Sequence, residues 1–173
     1  MEKNRMEAVV SWKKPSGYEK PIHYKPYSEY SHSKYKWLET LIIQRLCIRN
    51  HHLQSNSDKF GIDVLVLDNK GAVVGGLEIE SHGKYWRSYP FPYDTVHFLG
   101  RKAKYINENN FYILTNVKNA VMIKMDKLLN YKPSNMTNTS VVEEPIYDVP
   151  IEECVEGWGN INIALNAYFN KEV

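Results

Sequence analysis

Residues 61–80 read GIDVLVLDNKGAVVGGLEIE, and they carry the strongest structural signal in the chain. The first seven residues are apolar except for Asp63 and rich in β-branched side chains, as in a strand that is buried on both faces. Turn-forming residues follow at 68–71, and residues 72–80 form a second, largely apolar run. The segment therefore predicts a β-hairpin whose strands lie inside a sheet.

Three carboxylates interrupt this apolar hairpin: Asp63, Glu78 and Glu80. A two-residue tip at 69–70 places Asp63 opposite Gly76 and puts all three carboxylates on one face, although a bulge at the neighbouring glycines would shift the register. Ionised carboxylates on a buried face need cations, hydrogen-bond donors or a metal ion, and Mg²⁺ prefers oxygen ligands of this kind. At the edge of a sheet the same side chains would simply face water. The pattern alone leaves both interpretations open.

An amphipathic helix is predicted before the hairpin. Its apolar residues recur with helical spacing: Leu38, Leu41, Ile42 and Leu46. We expect this helix to begin near Lys36 and to end before the polar run at 50–59. Glu39 lies beside the apolar stripe, where it could point towards the hairpin or be a solvated surface residue. Residues 1–35 mix Lys, Tyr, Pro and Ser without a period and predict a basic, Tyr-rich N-terminal arm.

The elements after the hairpin complete an α/β pattern. Residues 82–98 predict a long aromatic loop, residues 100–109 a short basic helix, and residues 111–125 a second hairpin. Pro145 and Pro150 place a late strand at the edge of a sheet. The chain thus reads as one α/β core with a central sheet and flanking helices.

Length and charge limit the domain organisation and the partners. The 173 residues fit one domain, which we place at 36–153, with the arm at 1–35 and a C-terminal tail at 154–173. The net charge of +2 conceals an asymmetry: residues 1–140 carry an excess of positive charge and the remaining residues an excess of negative charge. A mildly basic body permits a polyanionic partner.

Membrane and secretory classes are not expected. No apolar run reaches the roughly 20 residues of a membrane span, and the N-terminus lacks the apolar stretch of a secretory signal. Cys47 and Cys154 are too few for a disulfide scaffold, which favours a reducing compartment. We therefore expect a cytoplasmic protein without a membrane partner.

The order of a helix, an acidic hairpin, a second helix and further strands resembles the PD-(D/E)XK nuclease superfamily. The match covers roughly residues 36–125, with Asp63 in the first acidic position and Glu78 in the second. The resemblance implies a restriction-endonuclease-like core, that is, a mixed central sheet flanked by helices. It also implies that Asp63 and Glu78 hold Mg²⁺ or Mn²⁺, with Glu39 of the first helix as a further metal ligand.

The chain departs from the family at the motif lysine, whose position is occupied by Glu80. Some nucleases of this class carry Glu there. The resemblance then implies that Glu80, with or without Lys84 four residues later, positions or deprotonates the attacking water. The four expected catalytic residues are Asp63, Glu78, Glu80 and Lys84.

A basic and aromatic segment follows the acidic hairpin. Residues 82–105 contain five cations, and residues 85–93 contain five aromatic residues. The cations are Lys84, Arg87, Arg101, Lys102 and Lys104, and the aromatic residues are Tyr85, Trp86, Tyr89, Phe91 and Tyr93. Cations on phosphates and aromatic rings on bases are typical of nucleic-acid contact, especially with unpaired strands. The resemblance places Arg101 or Lys104 at a phosphate, and Arg87 belongs to the same predicted contact surface. The alternative is a solvated helix face with aromatic residues packed on the core.

The sequence and the resemblance together predict a metal-dependent nuclease that hydrolyses phosphodiester bonds, with DNA favoured over RNA as substrate. Many of the enzymes it resembles act as homodimers, because two strands need two sites. Two other functions stay open. One is a non-catalytic nucleic-acid-binding module on the same fold, with Glu80 marking a lost active site. The other is a protein-interaction or assembly subunit that makes contact through its acidic C-terminal residues and Trp158.

Overall fold

The regular structure of the described residues consists of helices and two β-sheets. The structure is a computed structural model, and it describes residues 29–58, 60–82, 86, 89–136 and 144–171. The helices and strands, in chain order, are α1 (Glu29–Arg45), β1 (His51–Ser55), β2 (Val64–Asp68), β3 (Val73–Ser81), β4 (Thr95–Leu99), β5 (Asn110–Thr115), β6 (Ala120–Lys124), β7 (Ser134–Met136), β8 (Glu144–Pro150), β9 (Val155–Glu156) and α2 (Trp158–Phe169). Short 3₁₀ helices span Gly100–Tyr105, Met125–Asn130 and Ile151–Glu153.

The central sheet has six strands in the order β1-β2-β3-β5-β6-β9. Strands β3 and β5 are parallel, and every other neighbouring pair in this sheet is antiparallel. A parallel pair needs a crossover connection, and residues 82–109 supply it. That crossover contains β4 and the 3₁₀ helix Gly100–Tyr105, which we call the basic helix. The prediction of an α/β protein with a mixed central sheet is confirmed.

Alternating residues of the central strands face two different hydrophobic cores. On one face, Leu77 of β3 and Ile113 of β5 pack with residues of α1 and α2. On the other face, Tyr112 and Leu114 of β5 pack against residues of the second sheet, which has the order β4-β8-β7. The central sheet is therefore covered by helices on one side and by strands on the other. Glu78 and Glu80 alternate with Leu77 and Ile79, so their side chains leave β3 on the face away from the helices.

The register of the acidic hairpin differs from the prediction by two residues, but Asp63, Glu78 and Glu80 still share one face, as predicted. The turn contains three residues rather than two, because Gly71 adopts a φ of 81° that suits a turn closed by a glycine. A bulge at Val74 adds a second shift, so Gly76 pairs with Leu65 and not with Asp63. The two single-residue shifts together preserve parity. Asp63, which directly precedes the Val64–Leu77 pair, therefore faces Glu78.

Three further elements depart from the predicted pattern. Helix α1 begins at Glu29 rather than near Lys36. No Pro or Gly lies between Pro26 and the end of α1 at Arg45, and a helix can extend beyond its apolar stripe. Strand β1 occupies part of the predicted polar loop; as an edge strand of alternating burial it shows little apolar signal. Strand β4 lies inside the segment predicted as an aromatic loop.

The C-terminal part of the chain contains more strand and helix structure than its sequence predicts. Strand β8 is central in the second sheet, not at an edge, because the residues between Pro145 and Pro150 remain free to pair on both sides. Residues 154–171, expected as a tail, contain β9 and α2. Ile161 and Leu165 of α2 are fully buried in the core beneath the central sheet.

Candidate active site

Two carboxyl groups lie side by side where β2 and β3 come together, one of them buried and the other half-buried. Asp63 stands directly before β2, and the Ile79 backbone N–H of β3 donates a hydrogen bond to Asp63 Oδ2 at 2.8 Å. The side chain of Glu78 is 0% exposed. The register of β2 and β3 places Asp63 directly across from Glu78. We call this pair, Asp63 and Glu78, the acidic centre.

Burial raises the pKa values of both carboxyl groups of the acidic centre. Burial and the charge of Asp63 raise the pKa of Glu78 to about 8, although Lys102 opposes the shift. Burial also raises the pKa of Asp63, against the opposing effects of Lys102 and the Ile79 N–H. Among the described residues, the buried Glu78 Oε2 atom has no hydrogen-bond partner. The centre can therefore accept a further proton or cation.

Lys102 supplies the positive charge nearest to the acidic centre. Its ammonium group forms an ion pair with Glu78 Oε1, and its side chain is only 22% exposed. Burial lowers the pKa of Lys102, but the charges of Glu78 and Asp63 outweigh that effect and leave the pKa above its ordinary value. Lys102 thus stays charged across the neutral range.

The sequence prediction missed this role of Lys102 because of the helix type. An α-helical spacing groups Arg101 with Lys104 and gives no separate role to the residue between them. In a 3₁₀ helix, residues three apart are eclipsed, so Arg101 and Lys104 share one side and Lys102 points in another direction. Both Arg101 and Lys104 are exposed, whereas Lys102 turns inward. The available signal was the density of cations in this short segment.

Glu80 is held by one neutral partner and one positively charged partner. The Tyr112 hydroxyl donates a hydrogen bond to Glu80 Oε2 at 2.7 Å, and the Arg101 guanidinium lies 3.6 Å from Glu80 Oε1. Burial and the charge of Glu80 raise the pKa of Tyr112 well above its usual range, so Tyr112 remains a donor. The arrangement positions the partly exposed Arg101 close to the acidic centre.

Glu39 lies near the acidic centre but is engaged by protein partners. Ser55 Oγ donates to Glu39 Oε2, and the Lys36 ammonium lies 3.1 Å from the same oxygen. The charge of Glu39 contributes to the raised pKa of Asp63, which places it within electrostatic range. In the described part of the chain, no group of three or more His, Cys, Asp or Glu residues could hold a metal ion. Glu39 as a metal ligand therefore stays a prediction, and Asp63 and Glu78 are the two carboxylates that lie together.

The remaining predicted cations have different surroundings. Lys84 and Arg87 lie outside the described residues. Lys104 is exposed, and its ammonium group lies 4.7 Å from the centroid of the Tyr105 ring. Burial lowers the pKa of Lys104, and Lys102 lowers it further. The basic helix therefore contributes three described cations to the neighbourhood of the acidic centre: Arg101, Lys102 and Lys104.

Two of the aromatic residues predicted to contact nucleic acid belong to the hydrophobic core. Trp86 is 1% exposed and packs in the core between the two sheets. The Phe91 ring makes an edge contact with it at 5.0 Å between centroids. Tyr89 and Tyr93 are exposed, and Tyr85 lies outside the described residues. The packing interpretation is therefore the correct one for Trp86.

Trp158, expected as a partner contact, is half-buried and packs against the helical core. The Arg45 guanidinium lies 5.4 Å from the centroid of its ring. Trp158 therefore already has partners within the chain.

Comparisons with known proteins give no relative from which a function could be transferred. No family model, no curated protein and no solved structure matches this chain. None of the helices in the described ranges is long and apolar enough to cross a membrane. A function is therefore inferred from the chemistry of the acidic centre and of the cations around it.

Proposed function

We propose that this protein is a metal-dependent nuclease that hydrolyses phosphodiester bonds in DNA. The observation that carries the proposal is the acidic centre itself: two adjacent carboxyl groups, one of them fully buried with an unpartnered oxygen, next to three cations of one short helix. A buried like-charge pair is costly to the fold, and such pairs are concentrated at functional sites. The neighbouring cations suit a phosphate-bearing substrate.

The order of elements supports a restriction-endonuclease-like core. Helix α1 comes first, the acidic hairpin β2–β3 follows, and the basic helix leads into β5 beside β3. This order agrees with the resemblance to the PD-(D/E)XK superfamily, whose acidic motif positions correspond to Asp63 and Glu78. Glu80 remains the departure from that motif.

The residues of the acidic centre fit a divalent metal ion. Mg²⁺ is commonly held by one or two carboxylates, with water and substrate phosphate completing its shell. Asp63 and Glu78 would be those carboxylates, and the unpartnered Glu78 Oε2 is the atom left without a protein donor. A bound Mg²⁺ or Mn²⁺ would supply Lewis-acid stabilisation of charge on the phosphodiester and a more acidic water.

Glu80 occupies the position of the motif lysine, and we assign the role of that lysine to Lys102 instead. Its charge lowers the pKa of Glu78 and favours the ionised acidic centre. Glu80, whose oxygens are engaged by Tyr112 and Arg101, instead fixes the direction of the Arg101 guanidinium. Arg101 and Lys104 lie on the exposed side of the basic helix and would bind the phosphates on either side of the scissile bond.

Cleavage of labelled single-stranded, duplex and branched DNA tests this proposal. We expect cleavage in Mg²⁺ or Mn²⁺, none in chelator, and none for Asp63→Ala. The matched control is Asp94→Asn, which changes an exposed aspartate and should cleave as the wild type does.

Other outcomes would point to the two alternative functions. Binding that is indifferent to metal, without cleavage of any substrate, would overturn the nuclease proposal in favour of a non-catalytic binding module. Neither binding nor cleavage across a salt series would favour a protein-interaction subunit instead.

A further inference from the structure

Tyr35 is an exposed aromatic residue of the helix that also carries Glu39. It lies on α1, one turn before Glu39, and is 41% exposed. Burial raises the pKa of Tyr35 and the charge of Glu80 raises it further, while Lys102 and Arg101 lower it. The phenol therefore lies within electrostatic range of β3 and of the basic helix, although its own helix covers the opposite face of the sheet.

Phe60 presents a second aromatic ring three residues before Asp63. Its side chain is 68% exposed, yet the backbone around it is fixed by hydrogen bonds within the β1–β2 connection. These bonds run from Asn56 Nδ2 to the Ile62 carbonyl (2.8 Å), from the Phe60 N–H to Asp58 Oδ1 (3.0 Å) and from the Gly61 N–H to the Asp58 carbonyl (2.9 Å). An exposed ring on a fixed backbone costs little entropy to order when a ligand binds.

Tyr105 links Phe60 to the cations of the basic helix. Its hydroxyl donates a hydrogen bond to the Phe60 carbonyl at 2.6 Å. The ammonium groups of Lys104 and Lys102 lie 4.7 and 5.8 Å from the centroid of its ring. Tyr105 and Lys102 therefore connect the backbone at Phe60 with Glu78 of the acidic centre.

We propose that Tyr35 and Phe60 stack on unpaired bases of a single DNA strand whose backbone passes the acidic centre. Cations that follow a phosphate backbone, combined with exposed aromatic rings, are the arrangement by which proteins bind single strands. The bases of a duplex are stacked on one another and offer these rings no free face. This inference rests on the proposed function and names its substrate class, a single-stranded or locally unpaired DNA segment.

Binding of an abasic probe separates stacking from charge. The probes are a labelled oligothymidine of about 15 nucleotides, its abasic counterpart of equal charge, and a duplex of the same length. Fluorescence anisotropy in chelator measures affinity without cleavage. We expect the wild type to bind oligothymidine at least about 10-fold more tightly than the abasic probe, because each stacked base adds affinity. It should also prefer oligothymidine to the duplex.

Substitutions then assign that preference to the two rings. Tyr35→Ala and Phe60→Ala should each lose most of the preference for bases, whereas Tyr35→Phe and Phe60→Tyr should keep it. Trp37→Ala is the matched control, since Trp37 is 56% exposed on the same helix but points about 160° away from Tyr35. Its preference should equal that of the wild type.

The result that would overturn the inference is equal affinity for the base-bearing and abasic probes, tighter binding of the duplex, or full preference in both alanine variants. Cleavage measured in parallel keeps the two proposals apart. Metal-dependent cleavage with base-independent binding overturns stacking alone. Base-dependent binding without cleavage in any metal overturns the nuclease proposal alone.

Discussion

Glu78→Gln is expected to lower metal-dependent cleavage by at least about 100-fold, because even residues that only support a metal ligand contribute 10–100-fold to affinity or activity. The substitution keeps the size of the side chain and removes the carboxylate that is 0% exposed beside Asp63. Initial rates on the best DNA substrate in Mg²⁺ measure the effect. Glu152→Gln, an exposed glutamate in another 3₁₀ helix, is the matched control and should leave the rate unchanged.

The same substitution is expected to change how stability depends on pH. The pKa of Glu78 is about 8 in the folded protein, against an ordinary value of 4.5. Between these values the folded wild type holds a proton that the unfolded chain has released, so its free energy of unfolding falls as pH rises through this window. Gln does not titrate, and Glu78→Gln should gain up to about 1.4 kcal/mol per pH unit relative to the wild type.

Urea unfolding at several pH values across this window measures that difference. Above about pH 8 the difference between the two proteins should level off, because Glu78 is then ionised in both states. A difference that stays constant from low to high pH would contradict the assignment of a raised pKa to Glu78. Loss of cleavage together with a gain in relative stability would mark a residue kept for chemistry rather than for the fold.

Lys102→Met is expected to destabilise the protein by about 3 kcal/mol at a pH above the pKa of Glu78, because it leaves a buried carboxylate without its cation. At about pH 5 the loss should be small, since Glu78 is then protonated in either protein. Lys127→Met removes a similar but exposed ion pair, with Glu153 at 3.8 Å. That control should stay within about 0.5 kcal/mol of the wild type at every pH.

Activity distinguishes a positioning role of Lys102 from a structural one. Lys102 lowers the pKa of Glu78, so Lys102→Met should move the acid limb of the pH–rate profile to higher pH and reduce cleavage by about 10²–10⁴-fold near neutrality. Lys102→Arg retains the charge and should restore the position of the acid limb. An unchanged pH profile in Lys102→Met would show that the lysine does not act on the acidic centre.

The common face of the three carboxylates could be predicted because side chains alternate along a strand. The detailed register could not, since the three-residue turn with Gly71 and the bulge at Val74 each shift the pairing by one residue. Because the two shifts together preserve parity, Asp63 still lies on the face of Glu78. A single shift would have placed Asp63 on the opposite face.

Interactions between distant segments could not be predicted from local patterns. The ion pair between Lys102 and Glu78 depends on the crossover that returns the chain to β5 parallel to β3. The burial of Trp86 depends on the second sheet, whose strand β4 lies in a segment that resembles an aromatic loop. Tyr35 was assigned to an arm, because the apolar stripe of α1 begins only at Leu38.

Direct measurement of metal binding tests the central claim that the acidic centre holds a divalent cation. Electron paramagnetic resonance titration with Mn²⁺ counts bound ions in the wild type, in Asp63→Asn and in the Asp94→Asn control. At about pH 9, where Glu78 is ionised, we expect a single bound Mn²⁺ per chain in the wild type and in the control, and none in Asp63→Asn. Equal Mn²⁺ binding by Asp63→Asn and the wild type, or no binding by either, would contradict a metal site at the acidic centre.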